Sequence, residues 1–308
     1  MMRSRCVPVL VVALAAVPMA SAALRTIDGE LRPTDNKSVA VYKTTPEGEL
    51  KIHLYFPPGW KPSDRRAGIV FFFGGGFTNG NPSQFRTKAE YLAGRGMVAG
   101  SAEYRIKSTH HTGPEKCIED AKSAVRWLRV NAARLGIDPS RVAAGGGSAG
   151  GTDAAFAAYN TTFEPEGEDK SVSSTPNALV LYNPAIGTGE SLSVFAKRPK
   201  EEQQALRSFL MAWKVTKGGP PAIVFFGTDD ELLAPSRTFV KQMIAAGNGV
   251  ELYTAEGQKH GFFNDRDDTP WHALCLHRTD LFLASLGYLK GPPTSHTQAG
   301  VTLKRETP

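Results

Sequence analysis

The sequence predicts an α/β protein: a mostly parallel, eight-stranded sheet with helices on both faces. Short apolar runs rich in β-branched and aromatic residues alternate with longer segments of helical period. This alternation is typical of parallel strands joined by crossover helices. Most of the runs are continuously apolar, as expected for strands buried on both faces. A turn signal at Pro46–Gly48 joins the first two strands into an antiparallel hairpin near one edge.

The elements follow one another in a regular order. The predicted strands are Ser38–Lys43, Leu50–Phe56, Gly68–Phe73, Met97–Ala102, Arg141–Ala144, Ala178–Tyr182, Ala222–Phe226 and Val250–Tyr253. The predicted helices are Ser83–Ala93, Cys117–Leu135, Ala149–Tyr159, Glu201–Trp213, Ser236–Ala246 and Trp271–Leu286. The helix from Cys117 has the clearest apolar face. The long connection Ala185–Pro221 is expected to arch over the end of the sheet as a lid.

Composition restricts the class of protein. Of 308 residues 41% are hydrophobic and 21% charged, which excludes a disordered or fibrous chain. The 36 basic and 30 acidic residues leave a net charge of +6 without a basic stripe, so no nucleic-acid partner is expected.

The two ends of the chain differ from the rest. Arg3 and Arg5 precede an apolar run too short to span a bilayer comfortably, and Ala20-Ser21-Ala22 fits a small-x-small cleavage site. Residues 1–22 are therefore predicted to be a signal peptide, the alternative being an uncleaved anchor. The protein would be exported to the periplasm or the extracellular space, with no stable membrane anchor after cleavage. Residues 23–289 would form the folded domain, and residues 290–308 a disordered tail.

Cysteine usage excludes a disulfide scaffold. The cysteines are Cys6, Cys117 and Cys275, with no C-x-x-C pair, so a thiolate zinc site is not expected. Two alternatives remain open for Cys117 and Cys275. They pair in an oxidising compartment, or they stay buried as small apolar residues.

The most informative segment lies between the fifth strand and its helix. Gly146, Ser148 and Gly150 match G-x-S-x-G, the nucleophile elbow. The turn is so tight that side chains two residues before and after the serine would clash, which explains both glycines. The elbow exposes the Ser148 hydroxyl at a helix N-terminus, where the dipole favours developing negative charge.

Two other interpretations of this segment are open. Gly145, Gly147 and Gly150 also fit G-x-G-x-x-G, the fingerprint of an NAD(P)-binding oxidoreductase. That motif normally follows the first strand of its fold, whereas this strand is the fifth. The segment would otherwise be a glycine-rich turn without chemistry.

A second glycine cluster favours the interpretation of the Ser148 segment as a nucleophile elbow. Gly74, Gly75 and Gly76 follow the third strand, and their unshielded N–H groups are suited to hold an oxyanion. The N–H of Ala149, next after the serine, is the expected companion donor.

An activated serine needs a base and an orienting acid. His260 follows the last strand and precedes the last helix, which distinguishes it from the other six histidines. Asp229 and Asp230 both follow the strand ending at Phe226, and the residues alone leave either as the acid. The order Ser, Asp, His is that of the α/β-hydrolases.

The chain resembles the esterase and lipase branch of the α/β-hydrolase fold, most of all its hormone-sensitive-lipase-like and feruloyl- or acetylxylan-esterase-like members. The matching pieces are Phe72-Phe73-Gly74-Gly75-Gly76-Phe77, Glu103-Tyr104-Arg105, Asp120-x-x-x-Ala124-x-x-Trp127-Leu128, Gly146-x-Ser148-Ala149-Gly150-Gly151, Gly227-Thr228-x-Asp230 and His260-Gly261-Phe262. The family usually has histidine where this chain has Phe73, a histidine that holds the glycine loop through hydrogen bonds.

The resemblance implies a serine hydrolase of carboxylic esters. Ser148 would be the nucleophile, His260 the base and Asp230 the acid, because the pattern Gly-Thr-x-Asp selects the second aspartate. The oxyanion donors would be Ala149 and two of Gly74, Gly75 and Gly76. Phe77, Phe262 and Phe263 would line an acyl pocket. No metal or organic cofactor is expected, and the substrate would be a small-molecule or plant-polysaccharide-linked ester. Phe73 leaves one alternative, a catalytically inactive binding protein.

Overall fold

A computed structural model describes residues 23–27, 31–187, 199–266, 269–297 and 300–306. The predicted signal peptide lies outside the described residues, as do residues 188–198 of the predicted lid.

A single ten-stranded sheet forms the centre of the molecule. The strands are β1 (Ala23–Leu24), β2 (Lys37–Thr45), β3 (Gly48–Tyr55), β4 (Arg66–Phe72), β5 (Val98–Ala102), β6 (Ile137–Gly147), β7 (Ala178–Tyr182), β8 (Ala222–Gly227), β9 (Val250–Ala255) and β10 (Lys304–Glu306). Their order across the sheet is β1-β2-β3-β5-β4-β6-β7-β8-β9-β10. The pairs from β5 to β9 are parallel, and β1, β2, β3 and β10 pair antiparallel with their neighbours. The predicted fold class is confirmed.

The strand count differs from the prediction by two. β1 and β10 have two and three residues, too short to show the alternation by which a strand is recognised in sequence.

The prediction of a disordered tail is wrong for Lys304–Glu306. These residues pair antiparallel with Leu252–Thr254 of β9. Leu303, just before them, is buried against the sheet, and Arg237 holds Glu306 with a nitrogen–oxygen distance of 2.7 Å. The tail lacks an apolar period because it buries only one large side chain at the sheet edge.

Eight helices cover the sheet within the described residues. They are α1 (Arg86–Gly94), α2 (Lys107–His110), α3 (Pro114–Val130), α4 (Ala132–Leu135), α5 (Ala149–Tyr159), α6 (Lys200–Leu210), α7 (Leu233–Ala245) and α8 (Trp271–Ser285). A 3₁₀ turn, Pro82–Phe85, precedes α1.

The sheet separates two apolar cores. Side chains of α3, α5, α6 and α7 form one cluster with alternate strand residues such as Val70. Those of α1 and α8 form the other with residues such as Ile69. Cys117 belongs to the first cluster and Cys275 to the second, and both are free thiols. Of the two alternatives left open for these cysteines, the structure supports burial as small apolar residues, because the sheet lies between the two thiols.

The topology brings the predicted functional segments to one edge. β4, β6, β8 and β9 run parallel, so the loops after their carboxyl ends meet on the same side of the sheet. These loops carry the glycine cluster, Ser148, Asp230 and His260 in turn. Among the described residues, no helix has the length and apolar character needed to cross a bilayer.

Candidate active site

The turn from β6 into α5 holds Ser148 in a strained backbone conformation, with φ 54° and ψ −120°. A Cβ on Gly146 would lie 2.3 Å from the oxygen of Gly150, and one on Gly150 would lie 2.2 Å from the oxygen of Phe72. Only glycine fits at either position. The local sequence thus forces the turn that the G-x-S-x-G pattern predicts.

The same segment leaves little space for a dinucleotide. A Cβ on Gly147 would lie 2.3 Å from the ring of Phe263, and one on Gly145 would lie 2.8 Å from the ring of Phe71. Aromatic rings already occupy the volume that these glycines leave open.

Three side chains form a hydrogen-bonded chain beside the elbow. Ser148 Oγ lies 2.8 Å from His260 Nε2, and His260 Nδ1 lies 2.9 Å from Asp230 Oδ2. The imidazole is 37% exposed, whereas the Asp230 side chain is 1% exposed. An exposed hydroxyl, an imidazole and a buried carboxylate in this order are the arrangement that serine hydrolysis needs.

The structure distinguishes the two adjacent aspartates. Asp230 is buried, and its carboxylate also accepts hydrogen bonds from the Leu232 N–H and the Asn183 amide. Asp229 is exposed and lies 3.4 Å from the Thr228 hydroxyl. Of the two carboxylates, Asp230 is the one that contacts His260.

The glycine loop lies directly over the elbow. A Cβ on Gly74 would be 2.9 Å from the oxygen of Gly147, so the two backbones are in close contact. The Gly74 N–H donates to Gln84 Oε1 at 2.6 Å, so this N–H is already engaged and is not available as an oxyanion donor. Including Gly74 among the donors was wrong, because its partner is a side chain ten residues away. Gly74, Gly75, Gly76 and Ala149 all border the cavity, and the N–H groups of the last three remain as the candidate donors.

Tyr104 holds the chain at Phe73, the position where the resemblance led us to expect a histidine. The two rings stack with centroids 4.1 Å apart, and the Tyr104 hydroxyl donates to the Phe73 carbonyl at 2.5 Å. Gly80 lies so close to the Phe73 ring that a Cβ there would approach it to 2.5 Å. The start of the glycine loop is therefore fixed by stacking and by one hydrogen bond.

The Glu-Tyr-Arg motif is anchored by a buried ion cluster. Arg105 donates from Nε and Nη2 to Asp120, which also accepts from Lys43 at 2.7 Å. Burial would raise the pKa of the Asp120 carboxyl, but Lys43 and Arg105 hold it below its ordinary value. This cluster secures the segment that carries Tyr104.

A cavity of about 370 Å³ opens above Ser148 and His260. Phe77 and Phe263 line it, as predicted. Phe262 does not; it packs against Trp271, with ring centroids 6.0 Å apart. A second groove of about 680 Å³ begins on the far side of Phe77 and runs along α6.

A buried lysine supports the wall of this cavity from behind. Lys88 is fully buried and donates to the Phe263 carbonyl at 2.8 Å. Its ammonium lies 5.2 to 5.7 Å from the ring centroids of Phe85, Tyr182 and Phe263. No carboxylate of the described chain lies within ion-pair distance of it. Burial lowers the pKa of Lys88 to about 7, against weaker opposing effects of Cys275 and Asp265.

Sequence reasoning missed three polar side chains at the site. Gln84 lies in the 3₁₀ turn, Asn264 follows Phe263, and Asn183 lies just after β7. None belongs to a motif, and each reaches the site through long-range contacts that no local spacing reveals. Among the described residues, no group of three His, Cys, Asp or Glu side chains is placed to hold a metal ion.

Comparison with solved structures identifies the family. Esterase 2 of Thermogutta terrifontis, in the structure described as phosphorylated by paraoxon, is 42% identical and superposes with a TM-score of 0.75. The match covers 83% of this chain and 96% of the other. The chain belongs to the α/β-hydrolase esterases. This confirms the predicted activity, hydrolysis of carboxylic esters. The alternative, an NAD(P)-binding oxidoreductase, is not supported.

A family model and two curated relatives support the same assignment to the esterases. The family described as BD-FAE matches residues 52–180. Carboxylesterase NlhH of Mycobacterium tuberculosis is 28% identical over 242 residues, which cover 70% of this chain and 72% of that protein. Esterase LipI of the same species is 27% identical over 240 residues.

Proposed function

We propose that this esterase cleaves its substrate through a covalent acyl-enzyme formed on Ser148. His260 Nε2 takes the hydroxyl proton as Oγ attacks the ester carbonyl, and then gives it to the departing alcohol. Asp230 holds the Nδ1–H of the imidazole and stabilises its cationic form. Water, activated by His260, then releases the acid. The observation that carries this proposal is the Ser148–His260–Asp230 chain, with distances of 2.8 and 2.9 Å.

Backbone N–H groups stabilise the oxyanion in this mechanism. Ala149 is the first residue of α5, where an N–H has no partner within the helix and the helix dipole is positive. Gly75 and Gly76 supply the opposite side of the hole from the loop over the elbow. Because these donors belong to the backbone, they need no rearrangement when the charge develops.

The substrate is proposed to carry a short acyl group, attached to plant polysaccharide in the natural substrate. Esterase 2 of Thermogutta terrifontis has been solved with propionate and with butyrate bound. The cavity of about 370 Å³ over Ser148 leaves room for an acid of that size. The groove beyond Phe77 provides space for the remainder of a larger substrate.

Export of the protein is part of the same proposal. It rests on the sequence of residues 1–22, with its basic start, apolar run and Ala20-Ser21-Ala22 site. N-terminal sequencing of secreted material should begin at Ala23, and secreted protein that still carries Met1 would contradict cleavage.

The mechanism is tested with Ser148→Ala and p-nitrophenyl acetate. Loss of the hydroxyl is expected to lower kcat by about 10⁴- to 10⁶-fold, while thermal melting remains that of the wild type. Ser285→Ala, an exposed serine at the end of α8, is the matched control and should keep full activity. Retained activity in Ser148→Ala would refute the mechanism. Release of acetate and ferulate from acylated xylan, compared with simple esters, tests the substrate.

A further inference from the structure

Two carboxamide side chains connect the glycine loop to the histidine loop. Gln84 Oε1 accepts from the Gly74 N–H at 2.6 Å, and Gln84 Nε2 donates to Asn264 Oδ1 at 2.9 Å. Asn264 Nδ2 then donates to the Gly261 carbonyl at 2.8 Å. The chain of three hydrogen bonds, called here the amide bridge, thus ends one residue from His260.

The two backbone groups at its ends fix the direction of the amide bridge. A backbone N–H only donates, so the Gln84 oxygen must face Gly74, and its NH₂ group must face Asn264. Asn264 therefore presents its oxygen to Gln84 and its NH₂ group to the Gly261 carbonyl, which only accepts. Reversing either amide would oppose two donors or two acceptors, so a single arrangement satisfies all three hydrogen bonds.

Both loops need such a restraint, because glycines make them flexible. Gly75 and Gly76 have φ values of 142° and 62°, and Gly261, next to His260, has φ 83°. Glycine adopts these positive φ values readily, whereas other residues rarely do. It also has the most backbone freedom to lose when a loop becomes ordered. Tyr104 fixes the glycine loop at the Phe73 carbonyl. The next polar backbone group, the Gly74 N–H, is the one that the amide bridge holds.

We infer that Gln84 and Asn264 are positioning residues, which set the distance between the oxyanion donors and His260 through the amide bridge. The inference rests on the proposed function, because it assigns the two loops their roles in ester hydrolysis. Neither side chain needs to contact the reacting atoms. A displacement of about 1 Å between catalytic groups is enough to cost about 10²-fold in rate.

The test uses Gln84→Met and Asn264→Leu, which keep approximate side-chain size and remove the hydrogen bonds. Each is expected to lower kcat on p-nitrophenyl acetate by about 10- to 100-fold, with KM within about threefold of wild type. The second-order rate of inactivation by paraoxon should fall by the same factor. Gln258→Met makes the same substitution on the loop before His260 and should leave kcat unchanged.

The double variant distinguishes a bridge from two independent contacts. Because breaking either end releases both loops, Gln84→Met combined with Asn264→Leu should be about as slow as each single variant. Multiplied losses would overturn the inference, as would a raised KM with unchanged kcat, which indicates substrate contact. If Ser148→Ala is inactive but Gln84→Met keeps kcat within about twofold of wild type, the inference about the amide bridge is refuted and the proposed function stands. If Ser148→Ala is active, the proposed function itself is refuted.

Discussion

Replacing Lys88 by methionine is expected to stabilise the protein, and more at pH 6 than at pH 9. The folded pKa is about 7, below the ordinary value of 10.5, so the unfolded chain binds more protons between these pH values. Stability therefore rises with pH across that window. The buried lysine costs about 5 kcal/mol at pH 6 and about 2 kcal/mol at pH 9, on a scale of 1.36 kcal/mol for each pKa unit.

The neighbours of Lys88 keep this window clear. Burial and the charge of Lys88 lower the pKa of His272 to about 4, and burial raises the pKa of Cys275 to about 12. In the folded protein neither group titrates between pH 6 and pH 9, and their titration in the unfolded chain is the same in Lys88→Met and in wild type. The pH dependence of the difference between Lys88→Met and wild type therefore reports on Lys88.

Urea unfolding at pH 6 and pH 9 measures the effect. The gain in the free energy of unfolding of Lys88→Met over wild type should be larger at pH 6 than at pH 9 by about 3 kcal/mol. Losing the hydrogen bond to the Phe263 carbonyl lowers this gain at both pH values and leaves the difference between them. Lys241→Met, an exposed lysine on α7, is the control and should show no such difference. An equal advantage of Lys88→Met at both pH values would refute the lowered pKa.

Two further predictions concern the catalytic loops. Asp230→Asn should lower kcat by about 10⁴-fold, because a neutral amide cannot stabilise the His260 imidazolium and offers one acceptor to three donors. The matched variant Asp229→Asn should stay within about tenfold of wild type; if it proves the slower of the two, the orienting acid is Asp229. Tyr104→Phe keeps the stacking on Phe73 but loses the hydroxyl. It should lower kcat by about tenfold at unchanged KM and cost about 1 kcal/mol in urea unfolding; a wild-type kcat would mean that stacking alone holds the loop.

The elements that sequence predicted well are those whose burial is complete. β7 and α5 match their predicted ends to the residue, since an apolar strand and an alanine-rich helix after the elbow leave little choice of boundary. Short elements at the edges, such as α2 and β10, were missed. They gain their stability from neighbours distant in sequence rather than from their own pattern.

The same distinction applies to the site. Ser148 and His260 could be located because backbone geometry dictates the residues around them. The Gly74 assignment failed because a glutamine outside any motif uses its N–H, and the Phe262 assignment because neighbouring side chains point apart. Tertiary packing decides which way a loop side chain or N–H group points, and the spacing of residues along the chain does not reveal it.

The two short edge strands affect how copies of the protein meet one another. β1 covers part of the nine-residue β2, and β10 covers half of the six-residue β9. Without these covers, the stretch of each edge that they pair with would offer unpaired N–H and C=O groups, a template for a strand of another molecule. Their effect extends to solubility, because a molecule that lost Lys304–Glu306 would expose the Leu252–Thr254 edge of β9 and is expected to self-associate more readily in concentrated solution.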